Sequence, residues 1–143
     1  MNAWFCRVAV AALLLPALGS CRDGRSTDVG NELAFAWYGR HDYTNLYYGG
    51  SPHDGGVPVI PGGCDYAKWD DQYVLTKGKP WRYATWDTAH HIPAVPPGGF
   101  VYFVLEKKRY GGGQEIDPAL HGPLTPTERA AWERRISGPY QEP

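Results

Sequence analysis

Apolar residues along the chain come in short bursts, split by glycine and proline, and the bursts are rich in aromatic and β-branched side chains. "ELAFAWY" (32–38) and "YTNLYYG" (43–49) read as two strands that pair as a hairpin across "GRHD". "GGSPHDGGVP" (49–58) is turn-rich, and the brief apolar "VPVI" follows before "PGG". In residues 64–87, "CDYAKWDDQYVLTKGKPWRYATWD", Tyr66 and Lys68 alternate with Ala67 and Trp69, and Tyr73-Val74-Leu75 resumes after "DDQ". "WRYATW" then restores a period of two, which predicts a strand with Trp81, Tyr83 and Thr85 on one face. Three prolines in "TAHHIPAVPPGG" (88–99) exclude a regular element. "FVYFVLEKK" (100–108) opens with six consecutive apolar or aromatic residues, the mark of a central strand buried on both faces.

The pattern changes near the end. In "LTPTERAAWERRI", Thr125 is followed by Pro126 at the first helical position and by Glu128 three residues on, a capping box that predicts a helix. Trp132 and Ile136 fall one turn apart, and Gly138-Pro139 stops the run. Short strands followed by one helix, without β-α-β alternation, predict an α+β fold: an antiparallel β-sheet of roughly five to six short strands with one C-terminal helix packed on it. Six Trp, ten Tyr and four Phe, of which only Trp4 and Phe5 precede residue 21, predict an aromatic core.

The first 20 residues do not belong to that domain. "MNAWFCR" carries one basic residue, and "VAVAALLLPALGS" is an apolar run with a small-residue exit, which reads as a secretory signal. A bilayer span needs roughly 20 apolar residues, more than this run holds. The exit Leu18-Gly19-Ser20-Cys21 resembles the bacterial lipobox, which implies cleavage before Cys21 and acylation of that cysteine. Several acyl chains, at about 0.8 kcal/mol per buried CH₂, hold a domain at a membrane. Arg22 stands where an Asp often marks inner-membrane retention, which fits sorting to an outer membrane where the cell has one. Three segments follow: a signal at 1–20, a polar tether at 21–31 and a single domain at 32–143.

Removing residues 1–20 takes the chain from 143 to 123 residues and leaves 13 basic against 15 acidic side chains, a net charge of −2. With "KKR" at 107–109 as the densest basic cluster, no nucleic-acid surface is expected. Cys6 leaves with the signal and Cys21 goes to lipid, so Cys64 is solitary and cannot form an internal disulfide.

"WDDQYVLTKGK", "FVYFVLEKK" and "GPLTPTERAAWERR" together resemble a family of small bacterial lipoproteins of unknown function. The matching positions are Asp70, Asp71, Tyr73, Val74 and Leu75; Tyr102, Phe103 and Val104; and Gly122, Pro123 and Leu124, within residues 62–136. The resemblance implies an address and an architecture, and no activity.

Several constellations bear on chemistry. Asp87, His90 and His91 lie within five positions, but adjacent histidines do not both turn inward from a strand, and no metal or cofactor is expected. "GGSPHDGG" holds Ser51, His53 and Asp54, without the Gly-x-Ser-x-Gly elbow of a nucleophile. Asp70-Asp71 reads as a turn rather than a carboxylate pair. "GGG" at 111–113 lacks the Lys-Ser/Thr of a phosphate loop. The aromatics Tyr43, Tyr47, Tyr48, Trp69, Trp81, Tyr83 and Trp86 exceed what one sheet face needs. They fill the core or form a binding surface, for which Trp69, Trp81, Tyr83, Trp86, His90 and His91 are the candidates. The expectation is a non-catalytic, lipid-anchored envelope module facing the periplasm or cell exterior. Its partners would be the membrane, through Cys21, and an envelope protein. Two alternatives stand beside it: an inhibitor or immunity-type lipoprotein that inserts the 88–99 loop into an enzyme, and a small hydrolase or metalloprotein using Cys64 or His90/His91.

Overall fold

The computed structural model describes residues 26–37, 44–83, 96–111 and 118–143. These residues form eight strands and one α-helix, an α+β fold with antiparallel strands and the helix at the C-terminus. Sheet I runs in the order β1 (Ser26–Gly30), β2 (Leu33–Trp37), β3 (Thr44–Tyr48), β4 (Val57–Pro58). Sheet II runs β5 (Tyr66–Trp69), β6 (Tyr73–Gly78), β7 (Val101–Glu106), β8 (Leu120–His121). Both are antiparallel meanders in which each strand pairs with its neighbour in sequence. The strands thus divide into two sheets rather than one, and both faces of β6–β7 carry buried apolar residues.

That double burial follows from the residues. On one face of sheet II, Ala67, Val74, Phe103 and Leu105 join Leu33, Phe35 and Leu46 of sheet I in a single buried cluster. Phe35 and Trp69 meet across the two sheets with ring centroids 5.5 Å apart. On the other face, Leu75 and Val104 are cross-strand partners, and Leu124 and Ile136 cover them. Tyr73, Tyr102, Trp132 and Tyr140 border this second cluster. The central strand β7 alternates between the two clusters, as its uninterrupted apolar run predicts.

The helix, α1 (Pro126–Arg135), begins as its sequence dictates. The Thr125 hydroxyl accepts the Glu128 N–H at 3.3 Å, and the Glu128 carboxylate accepts the Thr125 N–H at 2.8 Å. At the other end, the buried Lys68 donates through its ammonium to the Glu133 carbonyl at 2.8 Å, a cation where the helix dipole favours one. The chain then turns back, and Gln141 exchanges two 2.9 Å backbone hydrogen bonds with Ala67, covering the outer edge of β5.

Two expectations are corrected. Residues 26–30, expected within the polar tether, form edge strand β1, joined to β2 by a turn in which Asn31 and Glu32 both have positive φ, as tight hairpin turns require. An edge strand needs only one inward apolar residue, and Val29 supplies it. The strand expected at "WRYATW" is, over its described residues Trp81–Tyr83, part of a 3₁₀ turn, Pro80–Tyr83, since Pro80 fixes a helical φ and gives no ladder N–H.

A buried clasp beneath an exposed tryptophan

The 3₁₀ turn separates neighbours that an extended strand would have aligned. Tyr83 points inward and is 1 % exposed; its hydroxyl donates to the Gly63 carbonyl at 2.6 Å, and its ring packs on Phe103. Trp81 points outward and is 57 % exposed, the one large apolar side chain so exposed among the described residues. Between them Arg82 turns back into the protein. Its Nε and Nη2 donate to the two carboxylate oxygens of Asp65 at 3.0 and 2.9 Å, and the Lys79 N–H donates to the same group at 2.7 Å. The outer face of the guanidinium lies 4.9 Å from the Trp81 ring centre. Trp81 therefore stands on a charged pair whose geometry is fixed from below.

Electrostatics bind this clasp. Burial raises the Asp65 carboxyl, but the hydrogen bonds from Arg82 and Lys79 outweigh it and leave it below the usual carboxylate range. Burial opposes the Arg82 charge, and Asp65 more than restores it. Cys64, beside them, is fully buried, and burial pushes its thiol up to about 12. A thiol so sealed holds almost no thiolate at neutral pH and is not a nucleophile. Close packing requires glycine here. Gly63 has φ +75°, and a Cβ on it would strike the Thr44 carbonyl, which already accepts the Cys64 N–H at 3.0 Å.

The other candidates divide. Trp69 is half-buried against the inter-sheet core, and Tyr83 is a core residue, so the structure withdraws Tyr83 from the proposed binding set. Of the remaining surplus aromatics, Tyr47 is buried and Tyr48 packs edge-on against Tyr110 at 5.2 Å. Cys21, Tyr43, Trp86, Asp87, His90 and His91, with most of the 88–99 loop, lie outside the described residues. Ser51 donates to Asp54 at 2.6 Å within a 3₁₀ turn, a local bond that closes the turn. Asp70 accepts the Gln72 and Tyr73 N–H groups at 2.8 Å each, the β5–β6 turn its sequence suggests. "KKR" is not a basic surface: Lys107 is 5 % exposed and donates to the Val29 carbonyl, bolting β1 to sheet II, while Arg109 pairs with Glu106.

One pair was not visible in the sequence. His121 Nε2 lies 2.8 Å from Glu106 Oε1, and the imidazole stacks on Trp132 at 25°. The hydrogen bond with His121, helped by Arg109, holds the Glu106 carboxyl below its ordinary range. The two residues are fifteen positions apart and meet only through the β7–β8 pairing. Both are partly exposed. Among the described residues, no three His, Cys, Asp or Glu side chains converge on a point that could hold a metal.

Elsewhere on sheet II and α1, cations lie over aromatic rings. Lys77 sits 4.1–4.9 Å from the ring centres of Tyr66, Phe100 and Tyr140, and Arg135 lies 4.3 Å from that of Tyr73. Among the described residues, no helix is long and apolar enough to cross a membrane. No family model, no curated protein and no solved structure matches the chain.

Proposed function

We propose that this protein is a cell-envelope module, held at a membrane by acylated Cys21 and working by binding rather than catalysis. The observation that supports the binding role is the inward disposition of three reactive groups among the described residues. The Cys64 thiol is sealed, the Tyr83 hydroxyl is spent on a core carbonyl, and the Arg82–Asp65 pair is locked in the clasp. The anchoring part draws its support from "LLLPALGSC" and from β1, which opens at Ser26, five residues after the cysteine. The folded domain is thus built almost up to its proposed point of attachment.

Two measurements test this reading. Metabolic labelling with an alkyne fatty acid should tag the wild-type chain and carry it into the membrane fraction, and Cys21→Ala should lose both. Label-free wild-type protein refutes the anchor. Photo-crosslinking residues placed singly at the exposed Thr127 and Arg134 of α1 should give discrete adducts with an envelope component. Absence of adducts at both sites and around the Asn31–Glu32 turn refutes the binding role.

A further inference from the structure

We infer that the exposed tip Lys79-Pro80-Trp81 rests on the lipid surface and sets how the domain stands on its membrane. The inference builds on the anchor proposed above and adds a second point of contact.

The strand directions place this tip at the anchored end. Ser26 begins β1 and pairs with Ala36, which pairs in turn with Asn45, and the next rung is Trp37 with Thr44. The Cys64 N–H bonds to the Thr44 carbonyl at that same end, and the Arg82 carbonyl abuts Gly62. Trp81 therefore lies at the end of sheet I where the chain from Cys21 enters. The opposite end is formed by the Asn31–Glu32 turn and the 51–56 loop, tied by the Gly49 N–H to Glu32 carbonyl bond of 2.9 Å. Ser26 is five residue steps from Cys21. Fully extended, they reach no more than about 18 Å at 3.3–3.6 Å per residue. The Ser26 end is accordingly held within a short distance of the acyl chains.

The chemistry of the two ends differs in the same sense. Lys79, Pro80 and Trp81 are consecutive exposed residues; Asp65 pairs the charge of the buried Arg82 side chain, so among these residues the exposed charge of the tip is the Lys79 ammonium. The far end exposes the carboxylates of Glu32 and Asp54. Tryptophan suits the headgroup layer, where its ring is half apolar and its N–H stays hydrated. A lysine close to an anionic surface is drawn to it. The far-end carboxylates would be repelled by that surface. The clasp gives the contact its rigidity, since the Trp81 ring lies against a guanidinium already fixed by Asp65. A lipid anchor alone leaves a domain free to swivel, and a second contact removes that freedom.

The test uses the acylated full-length protein, with Cys21 acylation verified by mass, reconstituted in phosphatidylethanolamine/phosphatidylglycerol vesicles carrying a shallow nitroxide lipid quencher. Wild-type tryptophan emission should be quenched, Trp81→Phe should abolish most of the quenched fraction, and Lys79→Glu should weaken quenching at least twofold with every tryptophan retained. Circular dichroism confirms that each variant is folded. Equal quenching in wild type and Trp81→Phe, with acylation verified, overturns the lipid contact and leaves the anchor standing. Absence of acylation on Cys21 overturns both.

Discussion

Removing the Asp65 carboxylate is the sharpest test of the clasp. In the folded protein the Arg82 and Asp65 side chains are 4 % and 15 % exposed, so water screens their attraction only weakly. Asp65→Ala leaves the guanidinium without its carboxylate and the Lys79 N–H without its acceptor. Breaking one half of a buried pair costs about 3–5 kcal/mol. The rim position of Asp65 argues for the lower figure, equivalent to a fall in Tm on the order of 10 °C for a domain of this size. The loss depends on pH in a defined direction. Because the folded carboxyl titrates below its unfolded value near pH 3.9, its contribution is complete above about pH 4 and disappears as pH falls through the lowered folded value. Urea unfolding of the full chain, followed by tryptophan emission at pH 7 and near pH 2, reads both quantities. Wild type and Asp65→Ala should differ by about 3 kcal/mol at pH 7 and converge in acid. The double variant Arg82→Met/Asp65→Ala should recover part of the loss, because the orphaned charge is gone. A pH 7 difference below about 1 kcal/mol would place the pair with ordinary surface salt bridges and refute the reasoning.

Two further outcomes follow from the same region. Cys64 should resist iodoacetamide at pH 8 in the folded protein and react once the protein is unfolded in urea, as mass mapping of the alkylated residue would show; rapid native-state alkylation contradicts the sealed thiol. Gly63→Ala should lower stability by more than about 1 kcal/mol in the same urea assay, because φ +75° and the Thr44 carbonyl both oppose a side chain there.

The parts of this fold legible in the sequence are those fixed by neighbours in the chain. Thr125, Pro126 and Glu128 define the helix start through local bonds alone, and Asp70 defines its turn in the same way. The β2–β3 hairpin and the doubly buried β7 follow from apolar spacing. What covers each face of β7 does not, because that depends on how the remaining strands divide. The alternation of Trp81 and Tyr83 looks like a strand, yet Pro80 and the Arg82–Asp65 contact impose a turn that sends the two aromatics in opposite directions. Lys107 reads as part of a basic run, and only the approach of β1 explains its burial. The Glu106–His121 pair rests on strand register, which the residue spacing does not display.

The Lys107 bond to the Val29 carbonyl bears on how the domain carries load. With the proposed attachment at Cys21, a pull directed along the axis of β1 would enter the fold at Ser26. The hydrogen bonds from β1 to β2 are then strained side by side, as in a lap joint, and share the force instead of opening one after another from the end. Lys107 adds a rivet near the far end of that joint, tying the loaded strand to the second sheet. The edge strand that follows the tether would thus serve as the mechanical coupling between anchor and domain.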